Sequence, residues 1–247
     1  MATFNLGTVG TTPVVRNNVT LTTSDPTDVF RFQISGTKNI NVSLTDISAG
    51  DDAELLLFRD NGNGIFDSND QLVDFSANSR NRDESINNRE STGTYFAQVR
   101  RFAPGSSGTV SYDIAVSATT PNSTAGFSNL LPREFELGNL SADVTRSSLI
   151  NDGDTTDTYQ FSLGTFEGVN ITLNRLLADA DIRLVRDFNN NRIVDAGEEI
   201  ARSTRGGTTA DVISNITQSG DYFLQVQQFS GNTGYDLTFD RFTTTFA

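Results

Sequence analysis

Cysteine and histidine are both absent from the 247 residues. Their absence excludes disulfides, thiolate nucleophiles, and Cys or His metal sites. Ser-His-Asp and Cys-His catalysis go with them, because the general base is missing. Tryptophan is also absent, which removes the largest aromatic platform on which a sugar stacks. Lysine occurs only at Lys38, and no G-x-x-x-x-G-K-[ST] phosphate loop exists. No apolar run approaches the roughly 18 residues of a membrane-spanning helix. The segment Met1–Gly7 has neither the basic nor the apolar region of a Sec signal peptide. An exported protein would have lost its signal or would leave by another route.

What remains is an ordinary globular composition, 36% apolar and 20% charged, with 20 glycines and 5 prolines. Acids outnumber bases 31 to 18, for a net charge of -13. Such a surface repels nucleic acid and anionic lipid and attracts cations.

The strongest signal is an internal repeat. Phe4-Asn5-Leu6-Gly7 returns as Phe135-Glu136-Leu137-Gly138. Asp28-Val29-Phe30-Arg31-Phe32 returns as Asp157-Thr158-Tyr159-Gln160-Phe161, and Asp52-Ala53-Glu54 as Asp179-Ala180-Asp181. Gly93-Thr94-Tyr95-Phe96 returns as Gly220-Asp221-Tyr222-Phe223, and Tyr112-Asp113-Ile114 as Tyr235-Asp236-Leu237. The offset drifts only from 131 to 123 along the chain, so few insertions separate the copies. The expected domains are residues 1–118 and 128–247, joined by a polar linker at 119–127.

Within each copy the apolar period is two. Phe30, Phe32 and Ile34 alternate with Arg31 and Gln33, and Ile171 and Leu173 alternate with Asn170 and Thr172. This is the pattern of half-buried antiparallel strands. Strand-sized runs between Gly, Asn, Asp and Ser predict an all-β fold of two tandem antiparallel β-sandwiches. Each should contain roughly seven to nine strands.

Each copy also reads Asp-x-[Phe/Tyr]-x-Phe, then Asp-x-[Glu/Asp]-[Leu/Ile]-x-Leu, then Gly-x-Tyr-Phe-x-x-Val, then Tyr-Asp-[Ile/Leu]. This resembles the bacterial pre-peptidase C-terminal domain over nearly the whole of both copies. The resemblance implies a secreted, jelly-roll-like module of the kind appended to extracellular peptidases, and an accessory role in place of catalysis. The chain departs from that pattern in lacking tryptophan and in carrying a longer loop in mid-domain.

That loop is acidic and rich in asparagine. In the second copy Asp187, Asn189, Asn191, Asp195 and Glu198 fall at positions 1, 3, 5, 9 and 12 of an EF-type calcium loop, with the Ile193 carbonyl at position 7. Calcium takes six to eight hard oxygens at about 2.4 Å, so a tight loop must aim alternate side chains inward. Arg192 stands at position 6, where glycine eases the turn. In the first copy Asn61, Asn63, Asp67 and Asp70 take positions 3, 5, 9 and 12, and Gly64 takes position 6. Position 1 falls on Arg59, with Asp60 one place off. The same residues also spell a plain hairpin turn.

Asp25 with Asp28, Asp152 and Asp154 with Asp157, Asp52 with Glu54, and Asp179 with Asp181 form further acidic groups. They read as turn caps on a solvated face, with metal ligation or a glycosidase acid/base pair as alternatives. The expected function is a non-catalytic accessory or binding module of an exported bacterial protein, stiffened by Ca²⁺. Its expected location is extracellular or at the cell surface. Its partners would be an extracellular protein or polysaccharide, without nucleic acid and without a membrane span. A carbohydrate-binding module or a carboxylate-based hydrolase is the alternative.

Overall fold

Alternation sets the first core strand. Phe30, Phe32 and Ile34 are buried while Gln33 is exposed, so one face turns inward. The computed structural model describes residues 1–103, 105–123 and 126–244. Among these there are eighteen strands and no helix. The first nine are β1 (Ala2–Thr8), β2 (Val14–Leu21), β3 (Thr27–Ile34), β4 (Lys38–Thr45), β5 (Asp52–Arg59), β6 (Gln71–Ser76), β7 (Glu84–Glu90), β8 (Gly93–Ala103) and β9 (Val110–Thr119). The second nine are β10 (Phe135–Asn139), β11 (Val144–Ile150), β12 (Thr156–Leu163), β13 (Glu167–Asn174), β14 (Asp179–Val185), β15 (Glu199–Ser203), β16 (Asp211–Ile216), β17 (Gly220–Ser230) and β18 (Thr233–Thr243).

Two compact units result, Met1–Thr120 with Ser128–Pro132, and Pro121–Phe127 with Arg133–Ala247. In the first, one sheet runs β1-β3-β8-β5-β6 and the other β2-β9-β4-β7. In the second, the orders are β10-β12-β17-β14-β15 and β11-β18-β13-β16. Leaving out β1 and β10, each unit has the interleaved order of a jelly roll, two four-stranded sheets face to face. The copies agree in register as well. Phe32 faces Tyr95 across β3 and β8, and Phe161 faces Tyr222 across β12 and β17. Those rings stack at centroid distances of 5.9 and 5.4 Å.

The extra strands β1 and β10 pair in parallel with β3 and β12. Each carries a bulge, between Asn5 and Gly7 and between Glu136 and Gly138. Gly7 and Gly138 take φ of +73° and +67° there, a backbone region that glycine enters without steric cost. Phe4 stacks on Phe30 at 4.7 Å and Phe135 on Tyr159 at 4.8 Å, which holds these edge strands to the core. The second of them begins one residue after Glu134, and so fixes where that side chain stands.

Candidate metal centre

The two asparagine-rich loops close hairpins, β5 to β6 and β14 to β15. In the second loop every predicted side chain is drawn into one hydrogen-bonded ring. Asp187 accepts the backbone N–H of Asn191 at 3.1 Å and of Arg192 at 2.9 Å. Glu198 accepts the N–H of Phe188 and of Asp195, both at 2.9 Å. The amide nitrogens of Asn189 and Asn191 each donate to Asp195 Oδ2 at 2.8 Å, and Ile193 N–H donates to Asn191 Oδ1 at 2.9 Å. Asn190 and Arg192 take positive φ, +56° and +63°. Arg192 tolerates this position with its guanidinium 5.3 Å from the centre of the Phe223 ring.

The first loop repeats the ring. Asp70 accepts the N–H of Asn61 at 3.0 Å and of Asp67 at 2.9 Å. Asn61 and Asn63 donate their amide nitrogens to Asp67 at 3.4 and 2.7 Å. The spacing put Arg59 at the first position. In the structure Asp60 fills that place, because a loop one residue shorter brings its carboxylate to the N–H of Gly64 at 3.0 and 3.1 Å. Arg59 turns away to pair with Glu90 at 3.4 Å. Hydrogen bonds from Asn69 and Asn63 hold the Asp67 carboxyl below its usual range. In both loops the amide nitrogens face the central aspartate. Ligation of a cation there requires the amides to turn and present oxygen.

A tighter acidic group lies elsewhere. Oxygens of Glu134, Asp154 and Asp157 all lie within 4.8 Å of one another, the one such group of three among the described residues. Asp157, at the start of β12, is buried. Its Oδ2 accepts the Tyr235 hydroxyl, which also lies 2.8 Å from the Tyr159 hydroxyl, and its Oδ1 is buried with no hydrogen-bond partner. Glu134 Oε2 accepts the N–H of Thr158 at 3.0 Å. Burial, and then the charges of Asp157 and Asp154, push the Glu134 carboxyl well up. Burial also raises Asp157, against the pull of hydrogen bonds from Tyr235, Ser148 and Asp154. Carboxylates crowded this closely form a hard, all-oxygen set, which suits calcium. The repeat supplied Asp154 and Asp157. Glu134 was missed, because it lies twenty residues earlier and only the parallel pairing of β10 brings it in. Residue Thr3 stands at its place in the first copy, where Tyr112 donates to Asp28 at 2.7 Å.

The remaining acidic pairs part ways. Asp52 accepts the N–H of Arg80 at 2.9 Å, and Glu54 pairs with Arg100. Asp179 Oδ1 is buried without a partner, and Asp181 is buried beside it.

No curated protein matches the chain. Among solved structures it is similar to the pre-peptidase C-terminal domain of a collagenase from Bacillus anthracis, at 19% identity and a TM-score of 0.33, covering 47% of this chain and 94% of that one. It is also similar to a periplasmic inhibitor of g-type lysozyme from Aeromonas hydrophila, at 11% identity and a TM-score of 0.30, covering 48% and 98%. The CUB1-EGF-CUB2 domains of rat MASP-1 match at 9% identity and a TM-score of 0.28, covering 96% and 99%. Scores this low carry no argument. The sequence match to a family does, because the model of the bacterial pre-peptidase C-terminal domain fits residues 26–101 and again 155–228. With more than half of its residues matched, once in each copy, the chain belongs to the bacterial pre-peptidase C-terminal domain family.

Proposed function

We propose that this chain is a non-catalytic accessory module of an exported bacterial protein, stabilised by calcium. The observation that carries the reading is the group Glu134, Asp154 and Asp157, whose oxygens lie within 4.8 Å of one another. A cation held there ties the segment leading into β10 to the turn before β12. It thereby joins residues that are far apart in the unfolded chain, much as a covalent cross-link does. Calcium supplies the opposite charge, and the protein supplies position. Tyr235 and the Thr158 N–H orient two of the carboxylates, and Asp157 is buried while Glu134 and Asp154 are partly exposed. The two loops offer shallower sites, Asp60, Asn61, Asn63, Asp67 and Asp70 in one copy and Asp187, Asn189, Asn191, Ile193, Asp195 and Glu198 in the other. The non-catalytic part rests on a chain with no histidine or cysteine and on a family whose members are accessory domains. Location outside the cell, and a protein or polysaccharide as partner, belong to this reading, and family membership is what supports them.

Substituting Glu134 tests the reading through a change of sign. Without metal, Glu134→Gln relieves repulsion and should melt higher than the wild type. In millimolar calcium the order should reverse, because the variant has lost a charged ligand. A variant that melts above the wild type in both buffers, or below it in both, rejects calcium at this group.

A further inference from the structure

Strand β14 meets β17 with Asp181 directly opposite Gln227. Both side chains point away from the core, since their neighbours Ala180, Ile182 and Val226 lie in it. Opposite residues on one face have Cβ atoms about 4.5–5.5 Å apart. The pair is nonetheless shielded from water, with Asp181 3% exposed and Gln227 2%. Gln227 Oε1 has no hydrogen-bond partner. The influences on the Asp181 carboxyl are burial and the charges of Asp211, Asp179 and Arg202, with no hydrogen bond among them.

The first copy shows what is missing. The repeat aligns Glu54 with Asp181 and Arg100 with Gln227. Glu54 and Arg100 stand opposite each other in the same register, and the guanidinium pairs with the carboxylate. In the second copy the acid is kept and the arginine has become a neutral amide. Arg202 acts on Asp181, but its guanidinium is already paired with Glu199. Asp179, Asp181, Asp211 and Glu199 face Arg183, Arg202 and Arg205 in this neighbourhood, which leaves one negative charge in excess. Asp179 Oδ1 and Asp211 Oδ2 are also buried without hydrogen-bond donors.

We propose that the second unit binds a hard divalent cation between Asp181 and Gln227, in the place that the Arg100 guanidinium takes in the first. An ionised carboxylate withdrawn from water needs a counter-charge. A carboxylate beside an amide oxygen is the donor chemistry that calcium and its class accept. The competitor is a proton, since burial and the neighbouring acids push Asp181 up to about 7. The inference does not rest on calcium at Glu134 or in the loops, which use other residues.

The test is calorimetric titration of CaCl₂ into the chelator-stripped full chain at pH 8, where the proton competes least. Wild type, Gln227→Arg, Asp181→Asn and Glu134→Gln are compared, with circular dichroism to establish that each is folded. Gln227→Arg restores the internal cation of the first copy and Asp181→Asn removes the charge. Each should bind one calcium fewer than the wild type, and Gln227→Arg should melt higher than the wild type without calcium. Glu134→Gln should retain this equivalent. Equal stoichiometry in the wild type and both β14–β17 variants overturns the proposal, as does the absence of any calcium binding. A loss confined to Glu134→Gln would remove this site alone and leave calcium at Glu134 standing.

Discussion

Glu84 opens β7 with its side chain fully buried and accepts the N–H of Asn78 at 2.7 Å and the Ser76 hydroxyl. It thereby pins the crossing from β6 in one sheet to β7 in the other. Burial pushes its pKa up to about 8, opposed by the bonds from Ser76 and Asn78 and aided by the charges of Asp52 and Glu54. The folded state thus keeps a proton that the unfolded chain releases in the ordinary carboxylate range. Stability from this group is complete below that range and is lost as pH rises through 8. Wild-type melting temperature should fall by about 5 °C or more between pH 5 and pH 9. Glu84→Gln keeps an acceptor for Asn78 and a donor for Ser76, so its melting temperature should fall by less over the same interval, the remainder coming from raised carboxyls such as Asp181 and Asp157. Parallel declines in both proteins would show that other groups carry the effect. Asp211 does the same work in the second copy, accepting from Ser203 and from Arg205 N–H at 2.8 Å. The sequence singled out neither residue, although they stand 127 residues apart, at the offset of the neighbouring repeat blocks.

Strands were the most readable elements, because a period of two has only one structural meaning when it is flanked by turn residues. The loops were readable as oxygen-rich turns but not in full. Counting positions assigned Arg59 to a place that Asp60 occupies, since spacing cannot show where a one-residue deletion is absorbed. Glu134 had no signal at all in its own neighbourhood, and its role depends on a parallel pairing that no local pattern encodes. With Asp60 in place, the two loops carry matching rings of side chains. Both should bind calcium with dissociation constants on the order of 10⁻⁴–10⁻³ M, in the range of extracellular modules. The backbone amide resonances of Gly64 and Arg192, which donate to Asp60 and Asp187, report on this directly. Each should shift as calcium is added, Gly64 ceasing to respond in Asp60→Asn and Arg192 in Asp187→Asn. Resonances that stay fixed at millimolar calcium would leave both loops as turns.

Across the whole molecule, duplication conserved the shell and altered the charges inside it. Both units have the same strand order and the same stacked Phe–Tyr pair, Phe32 with Tyr95 and Phe161 with Tyr222. The first unit meets two half-buried acids with its own arginines, Arg100 on Glu54 and Arg59 on Glu90. In the second, Glu134, Asp154 and Asp157 crowd together, and Asp181 stands opposite a glutamine. The stability of the second unit should therefore depend on added cation more than that of the first. Differential scanning calorimetry of the intact chain, stripped with chelator and then supplied with millimolar calcium, tests this most directly. Calcium at ten times its dissociation constant contributes about 1.4 kcal/mol per site. An upward shift of a few degrees is expected in the transition of the second unit, identified by its smaller response in Glu134→Gln. Superimposable scans with and without calcium would contradict it.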